Sequence, residues 1–306
     1  MKNANFPMDA EGHTYHVGLK RGEVCNRILT VGDPERAKRL AELLDEGAPR
    51  FVRETNRGFL TITGRYHGVP VSIIAIGMGM AMMDFMLREV RAVVDGPMCV
   101  VRIGTCGSIA DAEVGDIIVP EASAAVVRNF DAFADLSHAG STAAVPSDED
   151  CYTLSSLFEG DAEVTAALRK SLGSRVGAEH VVSGVNVTAD TFYAAQGRVD
   201  PCFVDRNTGH IERIQQRYPN AVSLEMENFA LFHLARCAAP LPTGQSSIRA
   251  GAAMIAVFQR KKNESLSKAD LAVLETKAGS AVLDVLASSL TDEEALLHDA
   301  STSVWA

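Results

Sequence analysis

The chain has 306 residues, 47% of them hydrophobic and 22% charged, a length and balance that bury a sizeable core and fit one large α/β domain or two small ones. Its formal net charge of −10 repels a nucleic-acid backbone and gives no long-range attraction for phosphate, so any anion site must be a local cluster of cations. Charges or glycines interrupt every apolar run before it reaches the length of a membrane span, and the opening MKNANFPMDAEGHTYHVG holds no apolar core of signal-peptide length.

The predicted elements alternate along the chain. A β-branched strand at Arg27–Val31 leads into a helix with Asp33 as N-cap and Pro34 at its first position. Ala37, Leu40, Ala41 and Leu44 then recur at helical spacing. Strands are predicted at 59–65 and 69–76, a helix at 80–94, and strands at 99–103 and 116–119. The polar, small-residue stretch 135–147 reads as a surface loop or insertion. A helix is predicted from Glu225 to Arg236, a strand at 252–258, and a last helix that opens on Ser267 with Asp270 and runs to about Leu290. This alternation predicts an α/β fold in a single domain, with a mixed sheet flanked by helices. Six cysteines (Cys25, Cys99, Cys106, Cys151, Cys202 and Cys237) form no CxxC pair, which suits reduced, buried thiols in a cytoplasmic protein.

Four segments could carry chemistry. In TVGDPERAKRL, Gly32 follows a strand and Arg36 lies in the first turn of a helix, where backbone N–H groups and a guanidinium favour an anion. In VVRIGTCGSI, Arg102 sits inside an apolar strand and needs either a carboxylate or a bound anion as partner. Gly104 to Ser108 then read as a small-residue turn facing a ligand. In SLEMENFALF, Glu225 and Glu227 flank Met226; residues two apart do not share a helix face, so one could take vicinal hydroxyls of a ribose while the other serves elsewhere. Two solvated acids at a helix start would account for the same pattern. TADTFYAAQGRVD joins Phe192 and Tyr193 to Gln196 and Arg198, an aromatic face beside groups that read the edge of a heterocycle. His13 and His16 lack companions at zinc spacing, so no metal is assigned.

Together these strings resemble the nucleoside phosphorylase family of the purine-nucleoside and uridine phosphorylase type. The order VGDPERA, RGFLTITGRYHGVPV, AIGMGM, VRIGTCGSI, DTFYAAQGR, LEMEN, AVFQRKKNE spans about Tyr15 to Leu290. The resemblance implies a three-layer, phosphorylase/hydrolase-like fold with a partly barrel-like sheet, spanning residues 1–306 as one domain. DTFYAAQGR resembles the uridine-specific branch, and AVFQRKK lacks the aspartate that bacterial purine enzymes carry there. The implied activity is phosphorolysis of uridine to uracil and ribose 1-phosphate. The alternatives are a purine nucleoside phosphorylase, a nucleosidase and a non-catalytic nucleoside-binding relative.

The resemblance also implies roles. Gly32, Arg36, Arg57, Arg102 and Thr105 match phosphate groups. His16, Thr105, Met226 and Glu227 match ribose contacts. Cys106, Gly107, Phe192, Gln196, Arg198 and Arg260 match the base site. Arg36, Arg102, Arg198 and Glu227 are the residues expected to carry catalysis. Arg57 and His16 match residues donated across a homodimer with shared sites, which in the family often assembles further. Inorganic phosphate is a co-substrate and no cofactor is implied. Gly58 and Met82 stand where relatives hold an interface cation, which puts that ion in doubt, although Asp84 could rebuild a site.

Overall fold

The computed structural model describes residues 3–134, 151–290 and 302–306; the insertion expected at 135–147 lies outside them. Strand β1 (Arg27–Val31) is buried along its whole length, as suits a β-branched run with a parallel neighbour on each edge. Those neighbours are β4 (Val69–Ala75) and β5 (Met98–Ser108). Beyond β4 the sheet continues through β3 (Leu60–Tyr66) and β2 (Phe51–Glu54), both antiparallel.

On its other side β5 closes a ring. It pairs with β11 (Ile248–Gln259), β11 with β6 (Ile117–Arg128), β6 with β9 (Val181–Ala189), β9 with β10 (Ala221–Glu225), and β10 returns to β5. The short strands β7 (Tyr152–Leu154) and β8 (Phe158–Glu159) join β6, and β12 (Glu264–Ser265) joins β11. The sheet is therefore part barrel, part open wing. β11 runs along one edge of β5. The opposite edge is shared: β1 takes Cys99–Ile103 and β10 takes Gly107 and Ser108. Residues 104–106 fall where the partner changes, the kind of place where α/β sheets bind ligands.

Helices cover both faces. α1 (Pro34–Ala41), α3 (Ala162–Val176) and α6 (Lys268–Ala287) pack with Leu29, Val31, Ile73 and Val101 into one core. α2 (Met80–Val93) and α5 (Asn228–Cys237) pack with Ile28, Ile74 and Val100 into another, with Phe232 fully buried. α4 (His210–Arg217) lies against the barrel with Ile214 in a third apolar cluster.

Several expected boundaries move for identifiable reasons. The strands expected at 99–103, 116–119 and 252–258 all run longer, because ring closure supplies partners past the apolar stretch. In β6, Pro120 sits at a register shift against β9, which is how a strand tolerates a residue with no N–H. The helix expected from Glu225 begins at Asn228, and Glu225 ends β10. α3 was not expected; Asp161 caps it by accepting from Val164 N. Of the six thiols, Cys202 and Cys237 are exposed, against the expectation that all are buried. Among the described residues no helix is long and apolar enough to cross a membrane.

Candidate active site

A cavity of about 610 Å³ opens at the switch between β1 and β10. Its wall holds Gly32, Asp33, Pro34, Arg36, Arg102, Thr105, Cys106, Gly107, Phe192, Gln196, Arg198, Glu225, Met226 and Glu227, bringing together fourteen residues singled out from sequence.

One end is built by the turn after β1. Asp33 accepts from Glu35 N and Pro34 opens α1, so the first helical turn faces the cavity. Gly32 allows close passage of the chain at Gly77: an added Cβ would lie 3.0 Å from the Gly77 oxygen. Arg36 is buried, and its Nε donates to Glu275 Oε1 at 2.6 Å.

The middle is built by β5. Arg102 is buried and donates through Nη2 to Glu227 Oε2, with Glu225 Oε2 at 3.6 Å. Burial opposes its charge, but Glu227 and Glu225 more than offset this and raise its pKa above the ordinary value. Residues 104–108 are strand, not the turn expected from their small side chains. Gly104 serves close approach instead: an added Cβ would meet Arg102 Nη1 at 2.7 Å.

The two glutamates part company, as their spacing required, but neither is solvated. Both are buried. Glu225 turns back and accepts from Glu227 N at 2.8 Å, Asn228 N at 2.9 Å and Thr188 Oγ1 at 2.5 Å, which fixes the entry to α5. Burial above all, with Glu227 adding and Arg102 opposing, pushes its pKa up. Glu227 lines the cavity, held by Arg102 and by Gly79 N at 2.5 Å. Gly79 has φ of 100°, a backbone state that favours glycine.

The other end is the segment 192–198. A one-turn 3-10 helix, Ala194–Gln196, ends on Gly197 with φ of 63°, and Arg198 folds back. Its Nη1 donates to Gln196 Oε1 at 2.5 Å and to the Phe192 oxygen at 3.1 Å, with the guanidinium 3.9 Å from the Phe192 ring centroid. Burial first, then the nearby Arg260, lowers its pKa to about 10. Arg260, expected at the base, does not line the cavity. It braces the turn from behind by donating to the carbonyls of Gln196 and Gly197. Among the described residues neither arginine forms an ion pair.

His16 and Arg57 lie outside the cavity of their own chain. His16 Nδ1 is 2.6 Å from Glu89 Oε1, and its ring stacks on Phe85 at 4.0 Å. Arg57 is exposed over the Tyr15 ring and donates to its hydroxyl at 3.1 Å. Tyr15 touches His16 edge-on, so the two share one patch. Asp84 is engaged by Arg88 Nε at 2.7 Å. Among the described residues one group, Asp9, Glu11 and His13, could approach a metal; Asp9 already accepts from Glu11 N and His13 N. Wall residues missed from sequence include Gly77, Met78, Leu224, Val257 and Phe258.

A sheet that closes on itself at a ligand-sized cavity lined by Arg36, Arg102 and Arg198 fits the phosphorylase-type α/β class that the resemblance implies. The chain matches the family model described as the phosphorylase superfamily over residues 26–287 and belongs to that family. It is 28% identical over 274 residues to a uridine phosphorylase of Thermococcus kodakarensis, covering 87% of this chain and 84% of that one. It is 31% identical over 223 residues to a DeoD-type purine nucleoside phosphorylase of Oceanobacillus iheyensis, covering 72% and 80%. A structure from work on two uridine phosphorylases of the oomycete Phytophthora capsici is 35% identical with a TM-score of 0.83, covering 94% of this chain and all of that one. A Trypanosoma brucei nucleoside phosphorylase, 22% identical with a TM-score of 0.74, shares the fold over 92% of this chain and 99% of its own.

Proposed function

We propose that this protein is a uridine phosphorylase, a pentosyltransferase that moves the ribosyl group of uridine from uracil to inorganic phosphate. The observation that carries the reading is the division of charge in the cavity: arginines held by carboxylates at one end and middle, and an arginine bound only to neutral groups at the other. The uridine phosphorylases of T. kodakarensis and P. capsici support the same choice.

Cleavage passes through a sugar with oxocarbenium character. Gly32, Arg36, Arg102 and Thr105 hold phosphate beneath the anomeric carbon, where positioning lowers the barrier and its negative charge steadies the sugar. Glu227 takes the ribose hydroxyls beside Met226. A phosphate oxygen bonds to the anomeric carbon as the bond to the pyrimidine nitrogen breaks, and that electron pair passes into uracil. Arg198 donates to the base oxygen on which charge accumulates, and Gln196 fixes the ring beside Phe192, Cys106 and Gly107. A carboxylate at this end would repel such an anion, and neither Arg198 nor Arg260 has one. A purine leaving group is better served by an acid there.

His16 and Arg57 enter the site of a second copy in a homodimer, which is why they are held together on one surface patch away from their own cavity. The reading places the protein in the cytoplasm, with inorganic phosphate as co-substrate and no organic cofactor.

The test is ultraviolet detection of free uracil from uridine with and without phosphate, beside inosine. Release that needs phosphate and favours uridine is expected. Release without phosphate would make the protein a nucleosidase, preference for inosine a purine enzyme, and tight uridine binding without turnover a non-catalytic relative.

A further inference from the structure

The cavity's three wall arginines are fixed in different ways. Arg102 is held from within the site by Glu227, and Arg198 by Gln196 and Phe192. Arg36 is held from outside it. Glu275, on α6, is buried and is not part of the cavity wall. Its Oε1 accepts from Arg36 Nε, and its Oε2 accepts from Arg39 Nη2. One carboxylate thus clamps two arginines of α1. Because Arg36 is gripped through Nε, the four N–H bonds of its two terminal nitrogens are left for another acceptor.

The packing of the two helices enforces this. Arg36 and Leu40 are one turn apart on α1, and Glu275 and Gly279 are one turn apart on α6. A Cβ on Gly279 would lie 2.2 Å from Leu40 Cδ2. The glycine lets α6 close onto α1 there, and the same register sets Glu275 opposite Arg36. A charged residue on the core-facing stripe of α6, among Ala278, Val282 and Leu286, is costly unless paired.

We propose that Glu275 is a positioning residue for the oxyanion end of the cavity: it aims the Arg36 guanidinium at phosphate, with Arg39 completing the clamp and Gly279 setting its distance. This rests on the phosphorylase reading above. The proposal has a sign that charge alone would reverse. Replacing a carboxylate beside two arginines leaves the region more positive, so a purely electrostatic role makes phosphate bind more tightly on its loss. Positioning makes it bind less tightly.

The experiment is steady-state kinetics of Glu275→Gln with phosphate and uridine varied in turn, beside Arg39→Met and Gly279→Ala, with melting curves for each. For Glu275→Gln, the KM for phosphate should rise about tenfold, the lower end expected for one charge-assisted hydrogen bond, while the KM for uridine moves less than about twofold. Gly279→Ala, which keeps the carboxylate but spreads the helices, should move the phosphate KM the same way, and Glu275→Asp should recover part of the loss. A phosphate KM unchanged or lowered in folded Glu275→Gln overturns the proposal. Should that variant fail to fold, Gly279→Ala, which leaves every charge in place, decides, since an unchanged phosphate KM there overturns it equally. Failure of the broader reading is visible separately, as wild-type protein that does not need phosphate to release uracil.

Discussion

Arg198→Ala removes the group on which the assignment of the base end turns. In the structure this guanidinium is half-buried, stacked on Phe192 and hydrogen-bonded to Gln196 Oε1 and the Phe192 carbonyl. Its pKa of about 10 keeps it charged at neutral pH. Losing a charged hydrogen bond to the departing base costs about 1.5–3 kcal/mol, and losing the ring contact that orders Phe192 costs about 0.5–1 kcal/mol more. Together these predict a fall in kcat/KM for uridine of roughly thirty- to several-hundred-fold. The loss should fall mainly on kcat, because charge on the base develops only as the bond breaks. The KM for phosphate, set at the other end of the cavity, should stay within about twofold. The assay is initial-rate uracil release at saturating phosphate, with thermal melting as a check that the fold survives. A folded variant with kcat/KM within about twofold of wild type would refute the reasoning.

Three further outcomes follow from other contacts. Gly104→Ala places a Cβ 2.7 Å from Arg102 Nη1; overpacking of this kind costs about 1–3 kcal/mol, and the displaced guanidinium should raise the KM for phosphate, read from phosphate titrations. Arg57→Ala should raise the phosphate requirement, and mixing it with the weakened Arg198→Ala should give more activity than the two alone through hybrid dimers; failure of the mixture once subunit exchange is verified would count against shared sites. His210 is buried beside Ala195 O and Arg213, and burial followed by Arg213 lowers its pKa to about 4. The unfolded chain therefore binds this proton first, so the stabilisation present above about pH 6.5 is lost as pH falls towards 4. His210→Gln should flatten that part of the melting-temperature profile, and a slope equal to wild type would assign the acid sensitivity elsewhere.

How much of this could be read in the residues depended on whether their signal was local. Arg102 stood out because a cation in an apolar strand must have a partner, and the carboxylate partner is there: Arg102 pairs with Glu227 while lining the cavity. Asp33-Pro34 announced α1, and the cap formed as expected. Gly104 and Gly107 misled, because small residues suit a tight turn and a crowded strand alike, and only the Arg102 and Arg260 side chains lying over them distinguish the two. Glu225 misled in a similar way: its carboxylate caps α5 from the end of β10, so the strand reaches further than the acidic pair suggested. His16 and Arg57 have no local signature at all. Only the resemblance named them, since their neighbours Tyr15, Phe85 and Glu89 are not part of the wall of the cavity described above. Glu275 was legible in principle, as a lone acid on the buried stripe of α6, but its partners lie over 230 residues away.

The net charge of −10 makes the arrangement of the arginines intelligible. A chain with that surface cannot gather anions at long range, so affinity must come from cations fixed at short range, and Arg36 and Arg102 are both buried. Burying a guanidinium is costly without a counter-charge, yet a counter-charge inside the pocket competes with the ligand. The two anion-facing arginines resolve this differently. Arg36 takes its carboxylate from behind, through Nε, leaving the face towards the cavity open. Arg102 takes Glu227 inside the cavity, and Glu227 is held in turn by Gly79 N. On the proposed reading, a ribose on Glu227 and a phosphate on Arg102 would share one ion pair. At that pair the sugar and the anion would be oriented together, whereas Arg36, gripped from behind by Glu275, would answer to phosphate alone.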